Sequence, residues 1–259
     1  MTDEARVLLS CEKVNKSYGG VHAVDSASFH LRSSEILGLV GPNGAGKTTL
    51  VDIITGAQPA DSGRVVMSGV ELTGPPSRRA RLGGFARTFQ HPQLAPDLTV
   101  RDNALVGAMS TRMGAVPSML ATVFAGLVQP RTPDADRRIS EIMAELSIGD
   151  IREMCADLTL GEQRLVEVGR ALTREPVVIL LDEPFAGGDL RGVSGIKNAL
   201  QHLTGRGCGV LVVDHNVDIV ASLVHRILLM DQGRIVFDGD PRECLRSAEM
   251  QRVYFGSGL

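Results

Sequence analysis

The sequence predicts an α/β fold built around a mostly parallel sheet with helices. Two uncharged five-residue runs, 177–181 and 209–213, have the composition of parallel strands that are buried on both faces. Between them, four apolar residues recur at the spacing of one helix face: Val193, Ile196, Leu200 and Leu203. Strand, helix and strand therefore follow one another, as they do in the repeating unit of a parallel sheet.

Other parts of the chain predict two additions to this core. Short β-like segments favour antiparallel strands near the start and the end of the chain: 21–24, 27–31, 65–67 and 226–238 with a turn at Gln232 and Gly233. The middle of the chain has the apolar periodicity of a helix, with charged residues between the apolar ones: Ile139, Ile142, Met143 and Leu146. We therefore expect a mainly helical insertion between about residues 95 and 158.

A glycine-rich segment follows the apolar run 36–40 and fits the pattern G-x-x-x-x-G-K-[ST]. It comprises Gly41, Pro42, Asn43, Gly44, Ala45, Gly46, Lys47 and Thr48, with Thr49 behind it. Glycines let backbone N–H groups close around the β- and γ-phosphates of a nucleotide, and a helix that begins at Lys47 directs its positive dipole end at them. Lys47 supplies a charge, and the Thr48 hydroxyl is placed to coordinate Mg²⁺. The alternative is a plain strand–turn–helix corner.

Two acidic residues, Asp182 and Glu183, end the apolar run 177–181. A carboxylate at the carboxyl tip of a strand beside a phosphate loop can hold the Mg²⁺ shell, and Asp182 fits that role. Glu183 is then placed to orient or polarise an attacking water. Two acids that cap a strand in solvent are the alternative, which the phosphate loop upstream disfavours.

Composition narrows the class of protein further. At 259 residues the chain fits one core domain with a sizeable insertion, and a net charge of -3 with a pI near 6.1 predicts no nucleic-acid partner. Four cysteines lie far apart without a C-x-x-C pair, which favours reduced thiols in the cytosol over a zinc site or a disulfide framework. The amino terminus lacks the pattern of a secretion signal.

The segment from Met113 to Pro130 is uncharged and nearly reaches the length of a membrane span. Its prolines and glycines leave a helical core only between Ser118 and Val128, which is too short to cross a bilayer. We therefore expect a buried helix or one that faces a hydrophobic partner.

A third motif stands before the strand that carries Asp182. It runs Leu158, Thr159, Leu160, Gly161, Glu162 and Gln163. Together with the two motifs above, this motif makes nearly the whole chain resemble the nucleotide-binding subunit of ATP-binding-cassette (ABC) transporters. The motif itself resembles the signature of that family, L-S-G-G-Q. Here Leu160 and Glu162 replace the usual glycine and glutamine. Gly161 allows close approach, and a helix from Glu162 directs its dipole at a γ-phosphate, which the resemblance places in the opposite subunit. Thr159 and Glu162 also have the spacing of a capping box, and the two interpretations coexist.

The resemblance implies roles for four single residues. Tyr18 corresponds to the aromatic that stacks on adenine, and Gln90 to the glutamine that touches Mg²⁺ or water and links the core to the insertion. His215 corresponds to the histidine that contacts the γ-phosphate and supports Glu183. Asp189 corresponds to the loop that crosses the dimer interface. Taken alone, a tyrosine at a strand end is more often a packing residue, and a lone histidine after a buried strand is more often structural.

The family architecture implies a division of the chain into three segments. Residues 1–94 would form a P-loop NTPase core with the antiparallel β subdomain, residues 95–158 the helical subdomain, and residues 159–259 the rest of the core. ATP and Mg²⁺ are the implied cofactors. Membrane-embedded permease subunits and a second ATPase subunit are the implied partners, with a solute-binding protein acting indirectly. The chain would then lie on the cytoplasmic side of the inner membrane, with the permease beside Gln90 and the uncharged segment.

Longer stretches of the sequence indicate which branch of the family the chain resembles. Residues 86–91, 98–100, 103–107 and 252–256, with the long segment 108–133, are similar to ATPases of branched-chain amino acid uptake systems. Residues 182–187 and 214–217 also resemble ATPases of lipopolysaccharide export. The insertion length favours uptake. Soluble ABC ATPases that act on ribosomes or DNA are a third class, which a single phosphate loop and the lack of sustained heptads disfavour.

Overall fold

The structure is a computed structural model, and it describes residues 6–88, 93–110, 133–185 and 190–256. It divides into two compact units. The first unit comprises residues 1–87, 177–183 and 202–259, and the second unit comprises residues 88–176 and 184–201. The three-segment division made from the sequence stays a prediction.

Ten strands are found among the described residues, and all belong to the first unit. They are β1 Val7–Tyr18, β2 Val21–Arg32, β3 Ile36–Val40, β4 Ser62–Met67, β5 Val70–Glu71, β6 Phe85–Arg87, β7 Val178–Asp182, β8 Gly209–Val213, β9 Arg226–Asp231 and β10 Arg234–Gly239.

Helices occur in both units. They are α1 Lys47–Thr55, α2 Pro76–Gly83, α3 Val100–Ser110, α4 Pro133–Glu145, α5 Leu160–Leu172, α6 Leu190–Gly205, α7 Val217–Ala221, α8 Pro241–Arg246 and α9 Ala248–Phe255, with a short 3₁₀ turn at Cys155–Asp157. Within the described ranges, none of these helices is long and apolar enough to span a bilayer.

A six-stranded sheet forms the centre of the first unit, in the order β10-β9-β3-β8-β7-β6. It is parallel from β9 to β6, and β10 pairs antiparallel at its edge. Every residue of β3 and β8 is buried, which is why both strands read as unbroken apolar runs. Val213 pairs with Leu39 on one side and with Asp182 on the other, so the carboxyl ends of β3, β8 and β7 lie in a row.

The second sheet is antiparallel, in the order β2-β1-β4-β5, as the short β-like segments predicted. The segments 21–24 and 27–31 form one strand, β2, because the chain passes through an irregularity at Ser26, which has φ of 54°, without turning. Gly19 and Gly20 both have positive φ and connect β1 to β2 in a two-residue hairpin.

One apolar cluster joins both sheets of the first unit to helix α1. Leu37 and Leu39 of β3, Leu31 of β2, and Leu50 and Ile54 of α1 are among its fully buried members. Because this core fixes α1 against the end of β3, the loop between them has a rigid support.

The second unit is helical where it is described. Helix α4 buries the residues that the periodicity predicted, and Met143 packs directly on Gly169 of α5, where a Cβ atom would lie 2.6 Å from the methionine Cε. An ion pair of 2.6 Å between Arg101 and Asp136 connects α3 to α4. The uncharged segment 113–130 lies outside the described residues.

Candidate nucleotide site

The glycine-rich loop connects β3 to α1, where the sequence predicted a phosphate loop. Helix α1 begins at Lys47, and its N-cap, Gly46, provides no side-chain hydrogen bond to the first turn. The first N–H groups of α1 therefore have no side-chain cap, and the positive end of the helix dipole lies at the loop. Asn43 and Gly44 at the tip of the loop are exposed. Backbone donors and a helix dipole in this arrangement bind anions such as phosphate.

Two glycines of this loop are required by close backbone approaches. A Cβ on Gly46 would lie 2.1 Å from the carbonyl oxygen of Ala23, and φ at Gly46 is +101°. A Cβ on Gly41 would lie 2.1 Å from the carbonyl oxygen of Met230. The loop therefore rests directly on the backbone of β2 and β9, and side chains at these two positions would displace it.

The turn between β9 and β10 is hydrogen-bonded to the backbone of the loop. The Gly233 N–H, between β9 and β10, donates to the Ala45 carbonyl at 2.9 Å, and the Asp25 N–H donates to the Gly233 carbonyl at 2.8 Å. The turn thus bridges β2 and the loop, which gives the loop a fixed position before any ligand binds.

Lys47 is buried although it carries a charge, with 8% of its surface exposed. Its Nζ donates to the carbonyl oxygens of Gly41, at 2.6 Å, and Pro42, at 3.0 Å. Desolvation lowers the pKa of Lys47, while nearby acidic groups, with Glu183 the largest contributor, act in the opposite direction. A buried ammonium that donates to carbonyl oxygens is well placed to exchange them for phosphate oxygens, which carry full charge.

Asp182 and Glu183 lie at the carboxyl end of β7, as predicted. The Asp182 side chain is 12% exposed and pairs with Arg87 at 2.8 Å. Glu183 has φ of 47°, a left-handed conformation that is uncommon for a residue with a side chain. Its N–H donates to the Val213 carbonyl at 2.7 Å, which fixes this conformation against the end of β8.

His215 follows β8 and lies beside Glu183. Its Nδ1 is 3.6 Å from Glu183 Oε1 and 3.5 Å from Asp214 Oδ1, and 55% of its side chain is exposed. The Asp214 side chain is 1% exposed and accepts a hydrogen bond from the Asn216 N–H at 3.0 Å. An exposed imidazole between a strand-end carboxylate and a buried one can hold and reorient a proton or a hydrogen-bonded water.

Tyr18 ends β1 and is 47% exposed. The ammonium of Lys16 lies 5.4 Å from the centroid of its ring, within the range of a cation–π interaction. The structure thus presents this ring at the surface of the first unit, where an aromatic face is accessible to a planar base.

In the second unit, Thr159 and Glu162 form the capping box that their spacing predicted. Thr159 N–H donates to Glu162 Oε2 at 2.9 Å, and Glu162 N–H donates to Thr159 Oγ1 at 3.3 Å. Helix α5 begins at Leu160, two residues before the predicted start. Thr159, Leu160 and Glu162 are exposed and Gly161 is half-buried, so the start of this helix is accessible to solvent.

Gln90 and Asp189, predicted to touch the metal shell and to cross a dimer interface, lie outside the described residues. Two further residues of the first unit, Arg87 and Tyr254, have no motif in the sequence. Arg87 pairs with Asp182, and the signal for it was a lone arginine at the end of a short apolar strand. Burial raises the pKa of Tyr254 in α9 to about 12, and the backbone of Gly41 acts on its hydroxyl in the opposite direction. A polar aromatic near the end of the chain was its only signal.

The side chains at the strand ends fit a hard cation. Mg²⁺ prefers oxygen ligands and keeps several waters, so it needs few protein groups. The first unit offers an exposed hydroxyl, Thr48, in the first turn of α1 and the Asp182 carboxylate at the end of β7. The carboxylates of Glu183, Asp214 and Asp182 all raise the pKa of Lys47 against the larger effect of desolvation, so negative charge faces the loop.

Comparisons with known proteins agree with this geometry. The family model for ABC transporters matches residues 24–186. A probable ABC transporter ATP-binding protein of Azorhizobium caulinodans is 38% identical over 93% of this chain and 80% of its own length. The lipopolysaccharide export ATP-binding protein LptB of Haemophilus influenzae is 35% identical over 96% of this chain and 97% of its own length. A probable branched-chain amino acid transport ATP-binding protein, LivG, of Methanocaldococcus jannaschii is 30% identical with the same coverage.

Among solved structures, an ABC transporter ATP-binding cassette in its ADP conformation is similar to this chain with a TM-score of 0.83 and 29% identity. The alignment covers 97% of this chain and 99% of that one. The fold and the loop define a nucleotide-binding ATPase. The chain belongs to the ABC transporter ATP-binding family, whose members bind ATP and hydrolyse it to power transport, working with membrane permease partners.

Proposed function

We propose that this chain hydrolyses Mg-ATP as one of two ATPase subunits that energise uptake of branched-chain or other hydrophobic amino acids, or related small amides. The observation that carries the ATPase part is the row formed by the ends of β3, β8 and β7. It brings the phosphate loop, the Asp182–Glu183 pair and His215 to one edge of one sheet, which is where ligands bind in open α/β sheets.

Each group at this edge has a role that follows from its chemistry. Lys47 and the N–H groups of the loop hold the β- and γ-phosphates, and Thr48 and Asp182 hold Mg²⁺, which neutralises phosphate charge when bound. Glu183 accepts a proton from the attacking water. His215, 3.6 Å from Glu183, orients that carboxylate and would contact the γ-phosphate of bound ATP. Tyr18 would stack on adenine, and we assign Gln90, which lies outside the described residues, to the metal shell.

The second half of each site comes from a partner ATPase, a copy of this chain or a related one. The exposed start of α5, with Thr159, Gly161 and Glu162, directs its N–H groups at the γ-phosphate bound by the partner. We assign Asp189, which is outside the described residues, to the contact between the two subunits. ATP itself completes the interface, so binding closes the pair and hydrolysis reopens it.

The assignment of the transport direction and of the solute is based on the segment between α3 and α4. Its length is typical of the ATPases of branched-chain amino acid uptake, and a relative with that printed name, LivG, is 30% identical to this chain. In that assignment the chain lies at the cytoplasmic face of the inner membrane, bound to permease subunits near Gln90 and residues 113–128. A periplasmic or extracellular solute-binding protein delivers the amino acid to the permease.

Export of lipopolysaccharide is the second candidate. It is favoured by the higher identity of the LptB relatives, which is 34–35% against 30% for LivG. The two candidates differ in partner and cargo, whereas the ATPase chemistry described above is common to both.

Uptake of radiolabelled leucine separates the candidates. In cells of the source organism that lack this chain, we expect uptake to fall and to be restored by the wild-type chain, with Lys47→Ala as the inactive control. Normal leucine uptake together with loss of lipopolysaccharide from the cell surface would assign the chain to export. Normal levels of both would contradict both cargo assignments while leaving the ATPase proposal standing.

A further inference from the structure

Arg87 bridges two carboxylates beneath the candidate site. One guanidinium nitrogen lies 2.8 Å from Asp52 Oδ1, and the other terminal nitrogen lies 2.8 Å from Asp182 Oδ2. The first nitrogen is also 3.4 Å from the Thr55 hydroxyl. The side chains of Arg87 and Asp182 are 13% and 12% exposed, whereas that of Asp52 is 28% exposed, so the contact between Arg87 and Asp182 is the more buried part of the bridge.

The three charged residues come from three different elements of the first unit. Arg87 is the last residue of β6, Asp182 is the last residue of β7, and Asp52 lies on α1, five residues after Lys47. β6 and β7 are parallel neighbours, with Arg87 opposite Leu180. The bridge therefore ties the end of β7 to the helix that carries the phosphate loop, through a contact that does not involve the nucleotide.

The bridge also determines which way the Asp182 carboxylate points. A guanidinium presents its donors in a planar fork, so two carboxylates bound to its two terminal nitrogens are held in fixed directions. With Oδ2 engaged by Arg87, Asp182 has Oδ1 for the metal shell. Without the Arg87 guanidinium, the carboxylates of Asp52 and Asp182 would repel each other, and the Asp182 side chain would turn away from Asp52.

We propose that Arg87 is a positioning residue for magnesium: it orients Asp182 and couples that carboxylate to helix α1. The inference rests on the proposed role of Asp182 in the Mg²⁺ shell. Groups that orient a metal ligand from behind usually change metal affinity by about 10–100-fold when they are removed. Arg87 would thus act on the metal through Asp182.

The test is the Mg²⁺ dependence of nucleotide binding, which needs no turnover. Binding of a fluorescent, non-hydrolysable ATP analogue, mant-AMPPNP, is measured in EDTA and across a Mg²⁺ titration. For Arg87→Met we expect the Mg²⁺ concentration at half-saturation to rise about tenfold or more, with affinity in EDTA changed less than about twofold. Arg87→Lys, which keeps the charge but loses the fork, should give an intermediate shift.

Matched variants separate the possible failures. Arg64→Met removes a guanidinium from an exposed ion pair with Glu12 and should leave the titration unchanged. Asp182→Asn should abolish the Mg²⁺ dependence, and if it does not, the proposed metal role of Asp182 fails. If Asp182→Asn abolishes the dependence while Arg87→Met and Arg87→Lys both leave it unchanged, the positioning role of Arg87 is wrong. Arg87→Lys keeps the test decisive if Arg87→Met does not fold.

Discussion

The Glu183 carboxylate lies 3.6 Å from Nδ1 of His215, although the two residues follow different strands. The contact exists because β7 and β8 are parallel neighbours and Glu183 N–H donates to the Val213 carbonyl at 2.7 Å. This bond accompanies a left-handed backbone at Glu183, with φ of 47°. Such a conformation costs on the order of 1 kcal/mol or more, and it persists where surrounding structure enforces it, often at functional sites.

Gly46→Ala should prevent normal closure of the phosphate loop. The new Cβ would lie 2.1 Å from the Ala23 carbonyl at a φ of +101°, so the loop must move. We expect ATP affinity to fall at least tenfold by isothermal titration, which is about 1.4 kcal/mol and comparable to the loss of one hydrogen bond to a charged group. Gly149→Ala, where a Cβ would meet nothing within 4 Å, is the control. Equal affinity in both variants would show that the close approach is unimportant.

Thr159→Ala should destabilise helix α5 without changing ATP affinity of the isolated chain. It removes the hydroxyl that accepts from Glu162 N–H, and loss of an N-cap costs about 1 kcal/mol. Urea unfolding followed by circular dichroism measures this cost. Thr159→Ser keeps the hydroxyl and should unfold like the wild type. If serine and alanine unfold alike, the capping box does not contribute to stability.

Buried thiols make the stability of the chain depend on alkaline pH. Burial raises the pKa of Cys208 from 9.0 to about 12 and that of Cys244 from 9.0 to about 11. Above pH 9 the unfolded chain loses these protons while the folded chain keeps them, so the free energy of unfolding falls as pH rises from 9 to 11. Well below pH 9, where these thiols are protonated in both states, this contribution is complete and constant.

Urea unfolding at pH 8, 9 and 10 measures that decline. The double variant Cys208→Ala, Cys244→Ala should lose less stability between pH 9 and 10 than the wild type does, whatever its starting stability. Cys11, whose thiol pKa is also raised by burial, stays in both proteins and cancels in the comparison. Identical declines would mean that the two thiols do not remain protonated in the folded chain.

Association of the chain should depend on ATP. The start of α5 is exposed and polar around Thr159 and Glu162, so we expect a largely monomeric chain without nucleotide. Glu183→Gln with Mg-ATP should show dimers by multi-angle light scattering, because the closed pair is not reopened by hydrolysis. Glu183→Gln combined with Lys47→Ala should remain monomeric. A monomer under every condition would indicate that the partner is a different ATPase.

The sequence predicted the central sheet and the phosphate loop because both depend on local patterns. Runs such as 209–213 are apolar throughout since both faces of β8 are buried. The loop needs glycine where its backbone touches β2 and β9, and that requirement is visible as the spacing of Gly41 and Gly46. Thr159 and Glu162 were likewise predictable, because a capping box is contained within four residues.

The bridge of Arg87 to Asp52 and Asp182 was not predictable in the same way. Its members are separated by 35 and 95 residues, and they meet only because β6 lies beside β7 at one edge of the sheet. The division of β2 into the segments 21–24 and 27–31 has a related cause, since Asp25 and Ser26 interrupt its strand-forming residues in the sequence. Pairing with β1 on both sides of this irregularity keeps the two segments in one strand.

We propose Glu183 as the base of an ATPase site in which Lys47 binds the phosphates. The two single variants Glu183→Gln and Lys47→Ala test this most directly. ATP affinity by titration and phosphate release are measured for both variants and the wild type. We expect Glu183→Gln to bind Mg-ATP like the wild type but to turn over on the order of a hundredfold more slowly, and Lys47→Ala to lose binding. Unchanged hydrolysis in Glu183→Gln would contradict the account.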